Sequence, residues 1–242
     1  MNKKRRNPLT LFHNAMKRFC TTITSLLFLT CTFSQRLNQV SLAARSGVGY
    51  FSILTDQGVL IRITADGTII DWGTEQLSYN GGYYAPKLQP FMGRVDYYGK
   101  EADSAYRGKV KSIGTCSITY YSHYEKDIQA GKLKTVGSMI MDYYDNFENV
   151  AYRGKLRFLG TVMLQYYPSL EDELVRGRLK SVGDVPVKYY SSVEDMYLKG
   201  KIKSIGTMVL EYYSALDRTE YRGMLKSPYN RPNVAGVTYI LQ

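Results

Sequence analysis

The chain has 242 residues, 44% hydrophobic and 22% charged, with 32 Lys+Arg against 21 Asp+Glu. That composition and length suit a globular core and exclude a wholly disordered or collagen-like chain, and the lack of any run near eighteen apolar residues excludes a polytopic helical membrane protein. The unusual figure is 23 Tyr beside 8 Phe and one Trp, a bias toward strands and half-wetted surfaces.

Residues 1–34 read as a secretory signal. Lys3, Lys4, Arg5, Arg6, Lys17 and Arg18 precede an apolar stretch at 19–33, and Thr32 and Ser34 place small residues at the −3 and −1 positions of a cleavage site. Met16 begins a compact basic start of its own, so Met1 and Met16 both stand as candidate initiators. The expected location is exported: periplasmic, outer-surface or extracellular, with the membrane met only through the signal. Cleavage after Ser34 reduces the formal charge from +11 to +5 and removes Cys20 and Cys31. Cys116 is then the single cysteine, and no intramolecular disulfide can form.

A linker is expected at 35–47, then a β-meander at 48–83 that caps the remainder of the chain. Its strands alternate over 48–54, 59–64 and 68–72, with turns at Asp56-Gln57-Gly58, Ala65-Asp66-Gly67 and Asn80-Gly81-Gly82. Trp72 reads as a core residue of that meander.

Residues 84–227 are a tandem repeat of 23 residues. Gly108, Gly131, Gly154, Gly177, Gly200 and Gly223 keep that spacing, as do Gly114, Gly137, Gly160, Gly183 and Gly206, and Tyr-Tyr pairs from Tyr97-Tyr98 to Tyr212-Tyr213. Each unit holds two short strand-like segments, 108–113 and 116–121 in the first, with a glycine between them. The prediction is an all-β fold: an antiparallel meander of tandem β-hairpin repeats, forming a curled sheet, a hairpin superhelix or a closed barrel, since open sheets seldom exceed about ten strands. Positions 116, 118 and 120 share a face by alternation. For Val110 to join them, the hairpin loop must be odd, most simply Ile113-Gly114-Thr115. The first tyrosine of each pair is then core-facing and the second solvent-facing. Residues 228–242 supply one closing strand at the far end of the array.

Three basic columns share the outward face in this reading. They begin at Arg107, Lys109 and Lys111 and recur at the 23-residue spacing, the first skipping Ala130 and the second ending at Lys201. With the odd loop, residue 107 lies across from residue 121, a guanidinium beside a tyrosine ring. A one-sided sheet also needs a solvated face, which Lys and Arg supply while discouraging edge pairing.

The Gly-Lys-Leu-Lys-Ser-Ile-Gly…Tyr-Tyr unit resembles tandem repeats in secreted bacterial proteins without an assigned function. The resemblance implies an envelope or extracellular location and carries no catalytic residue across. Tyr106-Arg107-Gly108 is loosely similar to the start of a MORN repeat, which shares the length but not the later glycines. Choline-binding hairpins also place paired aromatics after a glycine, but they depend on tryptophan.

Chemistry-bearing patterns are sparse. His123 is the one histidine after the leader, no His-Cys cluster suits zinc, and no nucleophile elbow, Walker loop or dinucleotide fingerprint occurs. No enzyme and no cofactor or metal is expected. The residues point to a non-catalytic exported protein that binds an extended envelope glycan or polyanion. Its contacts would be Tyr121, Tyr144, Tyr167, Tyr190 and Tyr213 with Arg107, Arg153, Arg176 and Lys199. The alternative is a structural or protein-interaction scaffold of the cell envelope with no small ligand. Nucleic acid is not an expected natural partner of an exported chain.

Overall fold

The computed structural model describes residues 35–43, 47–75, 87–226 and 231–241. The leader, its cleavage site and the turn at Asn80-Gly81-Gly82 lie outside them. Among the described residues the fold is all-β, with one three-residue 3-10 turn at Thr219–Tyr221 and no helix long enough to cross a membrane. The strands are β1 (Arg36–Ala43), β2 (Gly47–Leu54), β3 (Leu60–Ile63), β4 (Ile69–Glu75), β5 (Leu88–Pro90) and β6 (Val95–Tyr97). The repeat hairpins come next: β7 (Val110–Ile113) with β8 (Cys116–Tyr120), β9 (Leu133–Val136) with β10 (Met139–Tyr143), β11 (Leu156–Leu159) with β12 (Val162–Tyr166), β13 (Leu179–Val182) with β14 (Val185–Tyr189), and β15 (Ile202–Ile205) with β16 (Met208–Val209). The chain closes with β17 (Asn233–Val234) and β18 (Val237–Leu241).

Two sheets result. β6 to β16 form an eleven-stranded antiparallel meander in chain order, and β17-β18-β1-β2-β3-β4-β5 form a seven-stranded sheet. One apolar cluster joins them: Val40, Phe51, Ile53, Ile61 and Tyr239 from the smaller sheet, with Ile118, Leu133, Met141, Leu156, Leu179 and Ile205 from the array. A sheet of eleven strands needs a cover for its apolar face, and the non-repeating ends of the chain provide it. All described residues belong to one compact unit.

Three expected boundaries change. Residues 36–43, expected as linker, are β1, which pairs with β2 on one side and β18 on the other. Its polar Gln39 and Ser41 hide it from an alternation search, yet both are buried, and Gln39 donates to Glu75 at 2.7 Å while accepting from Ser52. The C-terminal strand does not close the far end of the array. It joins β1, and this is the one parallel pair among the described strands. Leu88–Pro90, placed in the array by the period, pairs with β4 of the covering sheet. The meander is therefore a lid over a face, not a cap on an end.

The hairpin loops also differ from expectation. Ile113 pairs with Cys116 and Ser112 with Ser117, so the loop has two residues, Gly114-Thr115. Gly114 has φ +58°, and Thr115 is not among the residues with positive φ, the pattern of a type II′ turn. An even loop alone would turn Val110 outward. A β-bulge restores it: Asp96 pairs with Ser112 and Tyr97 with Val110, so Lys111 is the extra residue. The same bulge falls at Lys134, Arg157, Lys180 and Lys203. Both Val110 and Ile113 therefore reach the core. The predicted buried columns are right, by a different backbone route.

The two sheets lock through the turn between β3 and β4. Its carbonyls at Ala65 and Gly67 accept the amides of Leu156 (2.7 Å) and Leu133 (3.4 Å). A Cβ at Gly67 would enter the Tyr143 phenol, whereas one at Gly58, in the equivalent turn before, meets nothing within 4 Å. Both glycines have positive φ, +82° and +75°. Gly58→Ala should cost only the left-handed penalty of about 1–2 kcal/mol. Gly67→Ala should cost about 1–3 kcal/mol more, through overpacking against Tyr143. Urea unfolding midpoints of the two variants measure the difference.

Candidate interaction surface

In a meander the connections alternate between the two edges of the sheet. The two-residue turns occupy one edge of the array. The links of the repeats, at 122–131, 145–154, 168–177, 191–200 and 214–223, occupy the other. Each link is closed at its base by paired backbone bonds, as where Tyr121 donates to Lys132 and Gly131 donates back to Tyr121 (both 2.9 Å).

Three ladders then tie each link to the next. The second tyrosine of each pair donates its hydroxyl to a carbonyl twenty residues on: Tyr98 to Ile118, Tyr121 to Met141, Tyr144 to Leu164, Tyr167 to Val187 and Tyr190 to Leu210, at 2.8–3.4 Å. The cation after the link glycine donates to the glycine carbonyl of the next unit: Lys109 to Gly131, Lys132 to Gly154, Lys155 to Gly177 and Arg178 to Gly200, at 2.5–2.6 Å. The same cations lie over the first tyrosines, Tyr120, Tyr143, Tyr166 and Tyr189, at 4.9–5.4 Å from the ring centroids. The third ladder runs from side-chain oxygens of the link to backbone amides of the next: Asp103 to His123, Asn149 to Ser169, Asp172 to Ser192 and Asp195 to Ala215. Lys126 breaks this column and pairs with Asp145 instead.

These ladders decide the fate of the predicted site. Tyr120, Tyr143, Tyr166 and Tyr189 are buried as expected, and Tyr212 is half-buried. Their partners are not a solvent-facing row. Tyr144 is only 7% exposed, and Tyr121, Tyr167, Tyr190 and Tyr213 are half-buried. Their rings are covered by the bulge cations, Lys134 over Tyr121, Arg157 over Tyr144, Lys180 over Tyr167 and Lys203 over Tyr190, and in the last unit by Lys226 over Tyr213, at 5.1–5.7 Å. The predicted neighbour of Tyr121 was residue 107. The two-residue loop and the bulge put Lys134 there instead, and Arg107 donates to the Ala102 carbonyl at 3.2 Å. Arg107, Arg153, Arg176 and Lys199 are exposed on the link edge, apart from the tyrosines assigned to them. Burial pushes the Cys116 thiol up to about 11, which removes it as a nucleophile near neutral pH.

The link edge displays a feature that periodic reading missed. Tyr124, Phe147, Leu170, Val193 and Leu216 occupy one position of successive links and are 86%, 98%, 97%, 90% and 98% exposed. Scattered exposed apolar residues are ordinary, but five in register are not scattered. The signal was present as a column at the 23-residue spacing. Alternation, the pattern that marks a strand, is absent from the links, so this column carries no secondary-structure signal. Strand spacing of about 4.8 Å, two strands per unit, sets these tips about 10 Å apart. Across the six links beginning at 99–108, 13 acids outnumber 8 bases, so the edge is apolar-tipped and net acidic even with the Arg107 column on it, while the other two basic columns are committed to carbonyls and tyrosine rings.

Comparison with known proteins finds no matching family model, no matching curated protein and no matching solved structure.

The ladders carry two expectations. Tyr144→Phe removes one hydroxyl bond and leaves the buried Leu164 carbonyl short of a partner, and should cost about 1 kcal/mol. Tyr143→Ala empties a core site and should cost about 3–5 kcal/mol; chemical denaturation separates the two. The second concerns pH. The Asp172 carboxyl is held below its ordinary 3.8 by the Ser192 hydroxyl and amide and by the Leu174 amide. A depressed folded pKa gives stability that is present above pH 3.8 and lost as pH falls through the folded value. Asn149 holds the amide of Ser169 in the same position with a group that does not titrate. Hydrogen-exchange protection should therefore fall at Ser192 below about pH 3.8 and persist at Ser169.

Proposed function

We propose that this chain is a non-catalytic scaffold of the cell envelope that holds a protein partner along its link edge. Export is carried by the basic–apolar–small leader alone. The observation behind the scaffold reading is the row of five exposed apolar tips on links that are clamped to one another. Tips fixed in spacing present a pre-ordered surface, so a partner loses little further freedom of the scaffold on docking. Covering each tip is worth roughly 1.5–3 kcal/mol before the costs of association. The net acidic links favour a partner whose apolar surface is flanked by basic residues.

A glycan or polyanion on the tyrosine and basic face has less support. Five of the second tyrosines have their hydroxyls committed to carbonyls, and the bulge cations already lie over ring faces a sugar would need. A polyanion would also meet the surplus carboxylates of the link edge.

Site-specific photo-crosslinking in the native host tests the proposal. A photoreactive residue at Phe147 or Leu170 should give defined protein adducts, and one at Ser117, exposed on a strand, should not. Replacing all five tips by Ser should abolish the adducts from probes elsewhere on the link edge. Stability should change by no more than about 0.5 kcal/mol per site, as at other exposed positions. Equal labelling from Phe147 and Ser117, or none from the tips, overturns the reading.

A further inference from the structure

Between the covering sheet and the first hairpin lies a cleft of about 190 Å³. Thr68, Ile69 and Trp72 line one side, and Gly108, Lys109 and Tyr120 the other. At the second hairpin the corresponding space is filled: Gly67 sits against the Tyr143 phenol, and the Lys132 ammonium feels Asp66. At the first hairpin nothing among the described residues fills it, and a Cβ built on Gly108 meets none of their atoms within 4 Å.

The lining is chemically specific. Trp72 is half-buried and Tyr120 is buried, so two aromatic side chains contribute to the walls. Lys109 supplies the charge. Its ammonium contacts neutral groups, the Gly131 carbonyl at 2.5 Å and the Tyr120 ring at 5.3 Å from the centroid, and among the described residues no carboxylate forms an ion pair with it. Lys109 is an exposed residue, and the protein packed round its ammonium draws its pKa below the usual lysine value, with no acid acting against the shift. A cation so placed gains from an anion that replaces lost water. The space is below the roughly 300–1,000 Å³ of pockets that take drug-sized ligands, and suits one ring.

We propose that this cleft binds a single six-membered ring bearing one carboxylate, with the ring against Trp72 and the carboxylate on the Lys109 ammonium. A uronic acid and an aromatic carboxylic acid share that chemistry, and they are separated by experiment. The site is independent of the link edge.

Trp72 is the only tryptophan of the chain, so its fluorescence reads the cleft directly. The full chain is titrated with glucuronate and with benzoate, and with glucose and benzamide as their uncharged counterparts. At least one acid should give a saturable change, with its neutral counterpart at least tenfold weaker; whichever acid responds identifies the source of the ring. Lys109→Met should abolish the preference for the acid. Lys132→Met removes the equivalent ladder bond outside the cleft and should leave binding unchanged, which controls for loss of structure. Three results overturn the proposal: no saturable change with either acid up to about 10 mM, where even a millimolar site is filled; equal response to acid and neutral ring; or equal loss in the two lysine variants.

Discussion

Every structural feature of the array depends on one constraint: each unit must fall on its neighbour in the same register. The Tyr121 hydroxyl reaches the Met141 carbonyl because that carbonyl is the equivalent of Ile118, displaced by one unit. The Lys109 ammonium reaches Gly131 for the same reason. An insertion within a strand would shift that unit against its neighbours and carry these donors away from their carbonyls. Each bond is worth only about 0.5–1.5 kcal/mol net, but they recur with every unit, and stability in such arrays accumulates from nearest-neighbour terms. The ladders thus cross-link neighbouring units, while the one cysteine among the described residues, Cys116, is free and buried.

The bulge is the means by which a short sequence satisfies two demands. A two-residue turn is the tightest way to reverse the chain, but its register would send Val110 to solvent. The extra residue at Lys111 reverses the alternation within one strand, so Val110 and Ile113 are both buried. The extra residue is also the one whose long cationic side chain lies over a tyrosine of the neighbouring unit, as Lys134 does over Tyr121. Lysine and arginine at these positions thus cover apolar ring area with their stems while keeping their heads wet. Two of the three columns that suggested a polyanion surface are engaged with carbonyls and tyrosine rings, and the Arg107 column lies at the links instead.

Once the strands and ladders have consumed the tyrosines and two of the basic columns, the link edge is left as the display surface. Its apolar tips are held apart by backbone that carboxylates and glycines have fixed, and they take no part in the core. Lys126 shows that the clamp tolerates substitution when a different pair, here Lys126 with Asp145, ties the same links. The covering sheet plays a separate role. It buries the inner face of the array, and at the first hairpin it stops short of filling the space beside Trp72.

The 23-residue period by itself determined the all-β class, the hairpin unit, the buried columns from Val110 and Ile118, and the burial of the first tyrosines. Those features arise from local alternation and from glycines that recur where the chain must turn. Tertiary structure decided what local pattern cannot encode. Residues 36–43 and 237–241 pair across almost the whole chain, and no short-range signal marks a partner so distant. The loop parity and the bulge are two errors of opposite sign in alternation, so the pattern reads the same with both or with neither. The second tyrosines looked solvent-facing because parity places them opposite the first, yet the neighbouring unit supplies a carbonyl and a cation that cover them. Whether a side chain is a platform or a staple depends on what stands one unit away, and only the stacked array sets that distance.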